Sequence, residues 1–433
     1  MRESEIKIIR VAILAEEPLG WPSGKHYFPI ILDKYSWTIN GKRYKFATEY
    51  IYDKDIINGK LNTSNYDILL VPGGGVGDAE AIVKSFNFLR KVRKWKKQIK
   101  KYIQDGGGYF GICGGVTLFT NFERKKDKKK LSFFEKHYND DSIGISCIKH
   151  YYKEITFRYL LPFQKNPDEI GAISYVFSFA PGETADNKFI HTSGVPVDFE
   201  ISKNNPIFSD YKKNYVRIRW WGGPALIIPE NSDRKINVLA KYPKKEFSLD
   251  EKNSIYAWKF NGGFLGLVKS FFKSLKMIKV NKESLRKVIM YTYYFAKPWE
   301  KSGKKIDLDF SEKPSIVTEI YPNENKGRLV LCTSHPEYMI WWDGHIDEVA
   351  QNNNNCVATG FHKWNDIKPL SKTVISELTH TWWIVRKLSA WAAKVPEEDL
   401  PPISKESSNK MINKIIKDNV YWDGTLKNQI NNI

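Results

Sequence analysis

The sequence predicts an α/β fold, a three-layer sandwich around a mainly parallel central sheet that carries a β-rich elaboration. Three observations predict it. Apolar, strand-like runs at residues 8–15, 66–71 and 109–112 each end in loop chemistry. A helical stretch of amphipathic spacing joins the second run to the third. Beyond residue 149, short aromatic and β-branched segments alternate with turn-rich stretches.

The run IIRVAILA at residues 8–15 suits a buried strand, as does YDILLV at 66–71, which is followed by the glycine-rich turn PGGGVGD. Ile82, Phe86, Leu89, Val92, Trp95, Ile99 and Ile103 then recur at helical spacing. Arg90, Arg93, Lys94, Lys97 and Lys101 lie opposite them and read as a solvated face. The helix stops at Gly106, Gly107 and Gly108, where glycine can take the left-handed cap, and a strand follows at 109–112. Strand, helix and strand in this order imply parallel pairing, so Cys113 falls at the carboxyl end of a strand, where open α/β sheets bind ligands.

Residues 121–149 are charged, include ERKKDKKK, and read as an exposed loop. Strands are expected at 172–179, 215–221, 236–242 and 254–260, a helix at 282–296, a strand at 328–332 and a long helix at 372–393. The stretch PEEDLPP at 396–402 looks like a linker to a short helix at 410–417.

With 433 residues, 42% of them hydrophobic, the chain can bury a large core. No apolar run approaches the roughly 20 residues that cross a bilayer, and the amino terminus lacks a secretory h-region. A cytoplasmic protein without a membrane partner is expected. Cys113, Cys147, Cys332 and Cys356 are widely spaced and read as reduced thiols. The net charge of +19 reads as lysine scattered along the chain, with no module for specific nucleic-acid binding. Among His26, His137, His150, His191, His345, His362 and His380 no metal-binding spacing occurs, so neither a metal nor a cofactor is expected. The pairs Trp220 with Trp221, Trp341 with Trp342 and Trp382 with Trp383 read as core and pocket wall.

Three motifs carry chemistry. In GGGYFGICGGV, Cys113 sits among Gly111, Gly114 and Gly115, as a nucleophile on a sharp strand-to-helix elbow requires. A helix starting near Gly115 would turn its amides toward the sulfur. In SHPEY, His335 and Glu337 follow a strand on an extended segment that turns at Pro336, so the carboxylate can reach the imidazole. In PGGGVGD, glycine amides face the same sheet edge and can bind an oxyanion. Each motif alone also has a plain reading: a small buried cysteine, a capped turn, an ordinary glycine turn.

Together, in this order and each behind a strand, these motifs resemble the class I glutamine amidotransferase-like superfamily, with its flavodoxin-like sandwich. Within it the chain is most similar to the domain at the amino terminus of eukaryotic biotin-protein ligases, which also occurs in stand-alone microbial proteins. That likeness rests on VPGGG at 71–75, GGGYFGICGG at 106–115 and RWWGGPALI at 219–227, and spans about residues 6–120 and 215–345. It implies a nucleophile at Cys113, a base at His335, an orienting acid at Glu337, and oxyanion positions at Gly74, Gly75 and Gly114. It also implies one domain over residues 1–395, with a β-rich insertion around 121–313, then a linker and short helix at 396–433. Val116 and Thr117 stand where glutaminases of the family carry glutamine, so the likeness does not extend to glutamine as substrate. Neither a synthetase domain nor a biotin-ligase GRGRxxR-type loop is present, and a separate partner enzyme would supply such activity. The implied function is amide or acyl hydrolysis or transfer on a small carboxamide through a thioester. The alternative is a catalytically inactive module on the same fold that binds a ligand or partner.

Overall fold

The computed structural model describes residues 6–15, 22–33, 35–73, 90–122, 143–151, 195–220, 223–244, 256–260, 263–277, 299–305, 310–322, 326–337 and 372–403. The expected elements at 172–179, 282–296 and 410–417, the ERKKDKKK run, Trp221, Trp341 and Trp342 lie outside these residues.

The first strand, β1 (Ile6–Leu14), runs parallel to β3 (Lys42–Ile51) on one side and β4 (Ile68–Val71) on the other. Next to β4 come β5 (Gly108–Ile112) and then β15 (Gly327–Cys332), all parallel. These five strands form the expected parallel block. From β15 the sheet continues antiparallel through β14 (Pro314–Tyr321), β11 (Ile236–Lys241), β8 (Val195–Ile201) and β9 (Tyr215–Trp220). The β-rich elaboration thus extends the central sheet itself. At the opposite edge, β2 (Ser36–Ile39) pairs with β3 as a hairpin, completing ten strands. Its turn is Asn40 (φ 50°) and Gly41 (φ 73°), the two left-handed residues that a two-residue hairpin loop of the favoured twist needs. Two smaller sheets stand apart: β6 (Asn121–Phe122), β7 (Lys149–Tyr151) and β10 (Ala225–Ile227), and the pair β12 (Tyr256–Phe260) and β13 (Trp299–Lys305).

Helices cover both faces, which is why β4 is apolar at every position rather than at alternate ones. On one face lie α1 (Pro22–Leu32) and α6 (Lys372–Ala392), which touch each other. On the other lie α2 (Asp53–Ile57), α3 (Arg90–Gln104) and α4 (Gly114–Phe119). Leu69, Val71, Tyr109, Leu329 and Leu331 pack there against Trp95, Ile99, Tyr102 and Ile103 of α3. Each such side chain contributes roughly 1.5–3 kcal/mol relative to exposure. Arg93, Lys94, Lys97 and Lys101 of α3 face solvent, as their spacing predicts. The helix ends where the glycines predict. Gly106 takes φ 106°, its amide bonds to the Ile103 carbonyl, and that of Gly107 reaches Tyr102, a Schellman cap.

Two expectations are corrected. Residues 143–149 are not an exposed loop, because Ile143, Ile145 and Ile148 are buried in the core. Buried Glu319 of β14 accepts from Ser146 Oγ, the Cys147 amide and the Arg234 guanidinium, tying that segment down. Nor is the described part of 396–402 a free linker. Asp399 is buried and accepts from Lys42, Tyr44 and Asn40, while Trp37, Tyr35 and Trp383 donate to the carbonyls of Asp399, Pro402 and Pro401. The segment clasps the hairpin edge of the sheet to α6. Among the described residues, no helix is long and apolar enough to cross a membrane. The helix α5 (Gly263–Met277), whose apolar residues recur at three- and four-residue spacing, packs against β12.

Candidate active site

Three neighbouring parallel strands, β4, β5 and β15, end side by side, and the residues just past them meet. Gly73 follows β4, Cys113 follows β5, and His335 follows β15. This is the carboxyl edge where the sequence places its chemistry.

Cys113 leaves β5 with φ 48° and ψ −108°. Such a backbone costs a residue with a side chain about 1–3 kcal/mol and persists only where its surroundings impose it. Here the Cys113 amide donates to the Cys332 carbonyl at 2.7 Å, anchoring the turn to β15. The flanking glycines allow the chain to double back. A Cβ on Gly111 would lie 2.8 Å from the Gly115 oxygen, and one on Gly115 would lie 2.6 Å from the Val71 oxygen. The helix that follows, α4, has only six residues, so its dipole is smaller than the elbow motif suggests.

His335 is held from both sides. Its amide donates to the Arg219 carbonyl at 2.8 Å, so β9, the last strand of the elaboration, fixes its backbone. Its Nδ1 lies 2.8 Å from Glu337 Oε1. A carboxylate only accepts, so Nδ1 carries a proton and Nε2 is left for Cys113, whose side chain hydrogen-bonds to the ring. The three groups are 5%, 1% and 0% exposed for Cys113, His335 and Glu337, so they interact with little screening by solvent. Burial by itself drives the imidazole toward neutrality, but neighbouring Cys113 and Glu337 outweigh it and push its pKa up to about 9. Behind the acid, Trp382 of α6 donates from Nε1 to the Glu337 carbonyl at 3.1 Å.

The structure therefore brings Cys113, His335 and Glu337 together, with Gly114 buried directly beside the cysteine. Gly74 and Gly75 lie outside the described residues. Their neighbour Gly73 does reach the site. A Cβ there would be 2.3 Å from His335 Cε1 and 2.9 Å from Cys113 Cβ. The sequence signal for it was present, as the first glycine of PGGG, but spacing does not reveal which glycine abuts the ring.

A second group of residues has no signal in the motifs. Tyr242, fully buried at the end of β11, has its hydroxyl 3.0 Å from Thr333 Oγ1 and 3.0 Å from the Pro224 carbonyl. Thr333 Oγ1 is in turn 2.8 Å from Ser315 Oγ. Gly223 lies so tightly on Thr333 that a Cβ would be 1.7 Å from its carbonyl oxygen. These contacts lock Gly223 and Pro224 of the RWWGGPALI segment onto Thr333, two residues before His335. Trp220 and Phe310 wall the same place with edge-to-face rings. His150, by contrast, is a core histidine: burial pulls its pKa down to about 3, and Nδ1 is 2.7 Å from Thr120 Oγ1. Among the described residues, no three His, Cys, Asp or Glu side chains cluster to hold a metal.

No family model matches the chain. Among solved structures, that of PurLQS from Thermotoga maritima is similar to 58% of this chain and 82% of its own, at 15% identity and a TM-score of 0.26. A likeness this slight bears on neither fold nor chemistry, and the residues carry the reading alone.

Proposed function

We propose that this protein is a cysteine-dependent amide or acyl hydrolase or transferase of the glutamine amidotransferase-like kind, with a small carboxamide as substrate. The observation that carries the reading is the buried chain of hydrogen bonds from Cys113 through His335 to Glu337, set at the carboxyl edge of the parallel block. Nothing in a core requires a strained cysteine, an imidazole and a carboxylate in series, whereas nucleophilic catalysis requires all three.

In this reading the imidazolium of His335, charged at neutral pH and holding its proton at Nε2, pairs with the Cys113 sulfur as Sγ bonds to the carbonyl carbon. The oxygen, now negative, is held by backbone amides, with Gly114, Gly74 and Gly75 in that role. As the tetrahedral intermediate collapses, the carbon–nitrogen bond breaks and His335 returns its proton to the leaving amine or ammonia. A thioester remains on Cys113. Water, deprotonated by His335, attacks it and releases the acid, and another amine in place of water gives transfer. Glu337 keeps Nδ1 protonated and stabilises the imidazolium. Val116 and Thr117 replace the glutamine of family glutaminases, so the favoured substrate is a carboxamide other than glutamine.

The test is acyl trapping. The full chain treated with p-nitrophenyl acetate and quenched in acid should carry one acetyl group, mapped by peptide mass to Cys113 and absent from Cys113→Ala. Acetylation that spares Cys113, or that is as fast in His335→Ala, contradicts the reading.

A further inference from the structure

The positive charge of the chain is not evenly spread, although the sequence as a whole reads so. Residues 256–305 hold twelve lysines and arginines against two glutamates, a net +10 of the total +19. The same stretch contains α5, GFLGLVKSFFKSLKM, which has no acidic residue at all.

The structure sorts that helix into two faces. Val268, Phe271 and Leu275 are half-buried and share one side of the helix, which packs against β12. Leu265 and Phe272, seven residues apart and hence on one face, are 71% and 57% exposed. Lys269 and Lys276, on the same stripe, and Lys273, on one flank of it, are exposed as well. Two large apolar side chains with lysines interspersed and along one flank fit a surface that is apolar within and anionic outside. Such a pattern gives a nucleic acid only half of what it presents. Phosphates would pair with the lysines, but an aliphatic leucine side chain offers a base no stacking partner.

We propose that the exposed face of α5 docks on an anionic phospholipid surface, with Leu265 and Phe272 entering the acyl boundary and Lys269, Lys273 and Lys276 meeting lipid phosphates and carboxylates. Such attachment is peripheral and salt-sensitive. The basic segments flanking the helix add long-range attraction, which falls off within a Debye length of roughly 8 Å at physiological salt. This docking does not depend on the chemistry proposed for Cys113.

The experiment is co-sedimentation of the full chain with vesicles of phosphatidylcholine containing about 30% phosphatidylserine, a strongly anionic surface. Vesicles of phosphatidylcholine alone serve as the neutral comparison. The chain should bind the anionic vesicles, release them as salt rises, and ignore the neutral ones. The double variant Leu265→Ser with Phe272→Ser, which alters only exposed positions, should bind at least roughly tenfold more weakly. Lys269→Glu with Lys273→Glu should abolish binding while Cys113 acetylation is unchanged. Equal binding to both vesicle types, wild-type affinity in the serine variant, or binding of an oligonucleotide where vesicles fail would each overturn the proposal.

Discussion

The Cα of Gly73 faces the His335 ring so closely that a Cβ there would sit 2.3 Å from Cε1 and 3.0 Å from Nδ1. The turn after β4 and the base after β15 are thus fitted to one another across Cys113. Both distances run to the imidazole ring, which cannot bend away without leaving Glu337 or Cys113. Gly73→Ala should therefore displace the imidazole and slow Cys113 modification by roughly 100-fold, the scale of an ångström misplacement in a catalytic group. Rates of acetylation and thermal melting, measured together, check it. Wild-type reactivity in the variant would make Gly73 an ordinary turn residue.

Tyr242 makes a different claim. Its hydroxyl joins Thr333 to the Pro224 carbonyl, two residues before His335. Tyr242→Phe removes the bridge and takes this donor from the buried Pro224 carbonyl, while Thr333 keeps Ser315 as a partner; the loss should cost about 1–3 kcal/mol of stability. If the bridge also positions His335, Cys113 reactivity falls at temperatures well below melting, and Thr333→Ser, which keeps the hydroxyl, preserves it. A change in melting alone would confine Tyr242 to packing.

His335 should titrate late. Its pKa rises from 6.5 to about 9 because Cys113 and Glu337 oppose the effect of burial. A raised folded-state pKa contributes stability that is fully present below pH 6.5 and is lost as pH climbs through about 9. The imidazole proton resonances should therefore titrate near pH 9, and Glu337→Gln, which removes one of the raising charges, should shift that midpoint down. An unmoved midpoint in Glu337→Gln would dissociate the acid from the base.

The clasp at Asp399 behaves in the opposite sense. Hydrogen bonds from Lys42 and Tyr44 hold its carboxyl down at about 2, against an ordinary 3.8. Its contribution is present above pH 3.8 and fades as pH falls toward 2. Asp399→Ala should destabilise the protein by about 1–3 kcal/mol at neutral pH, since Tyr44 and Asn40 lose their acceptor. That difference should shrink in acid, as urea titrations at several pH values can show. A difference independent of pH would assign the effect to packing.

What the sequence discloses follows from how locally each feature is encoded. The strands β1, β4, β5 and β15 are continuous apolar runs with glycine or polar stops, and their residues name Cys113, His335 and Glu337 as neighbours of strand ends. The hairpin of β2 and β3 is also locally encoded, by Asn40 and Gly41 between alternating residues, yet its charged positions make it resemble a surface loop. The burial of Ile143, Ile145 and Ile148 depends on Glu319, far along the chain, and the docking of Asp399 depends on Tyr44. Gly73, Thr333 and Tyr242 belong to the site only through packing between distant segments, which periodicity and motif spacing do not encode.

The most direct test of the Cys113, His335 and Glu337 arrangement is the rate of thiol alkylation. The native chain is treated with iodoacetamide near neutral pH, and each cysteine is followed by peptide mass. Cys113 should be modified at least roughly tenfold faster than half-exposed Cys147, whose thiol burial pushes up, despite lying deeper. His335→Ala should erase that advantage. Equal rates at Cys113 and Cys147, or an undiminished Cys113 rate in His335→Ala, would contradict an activated nucleophile at this site.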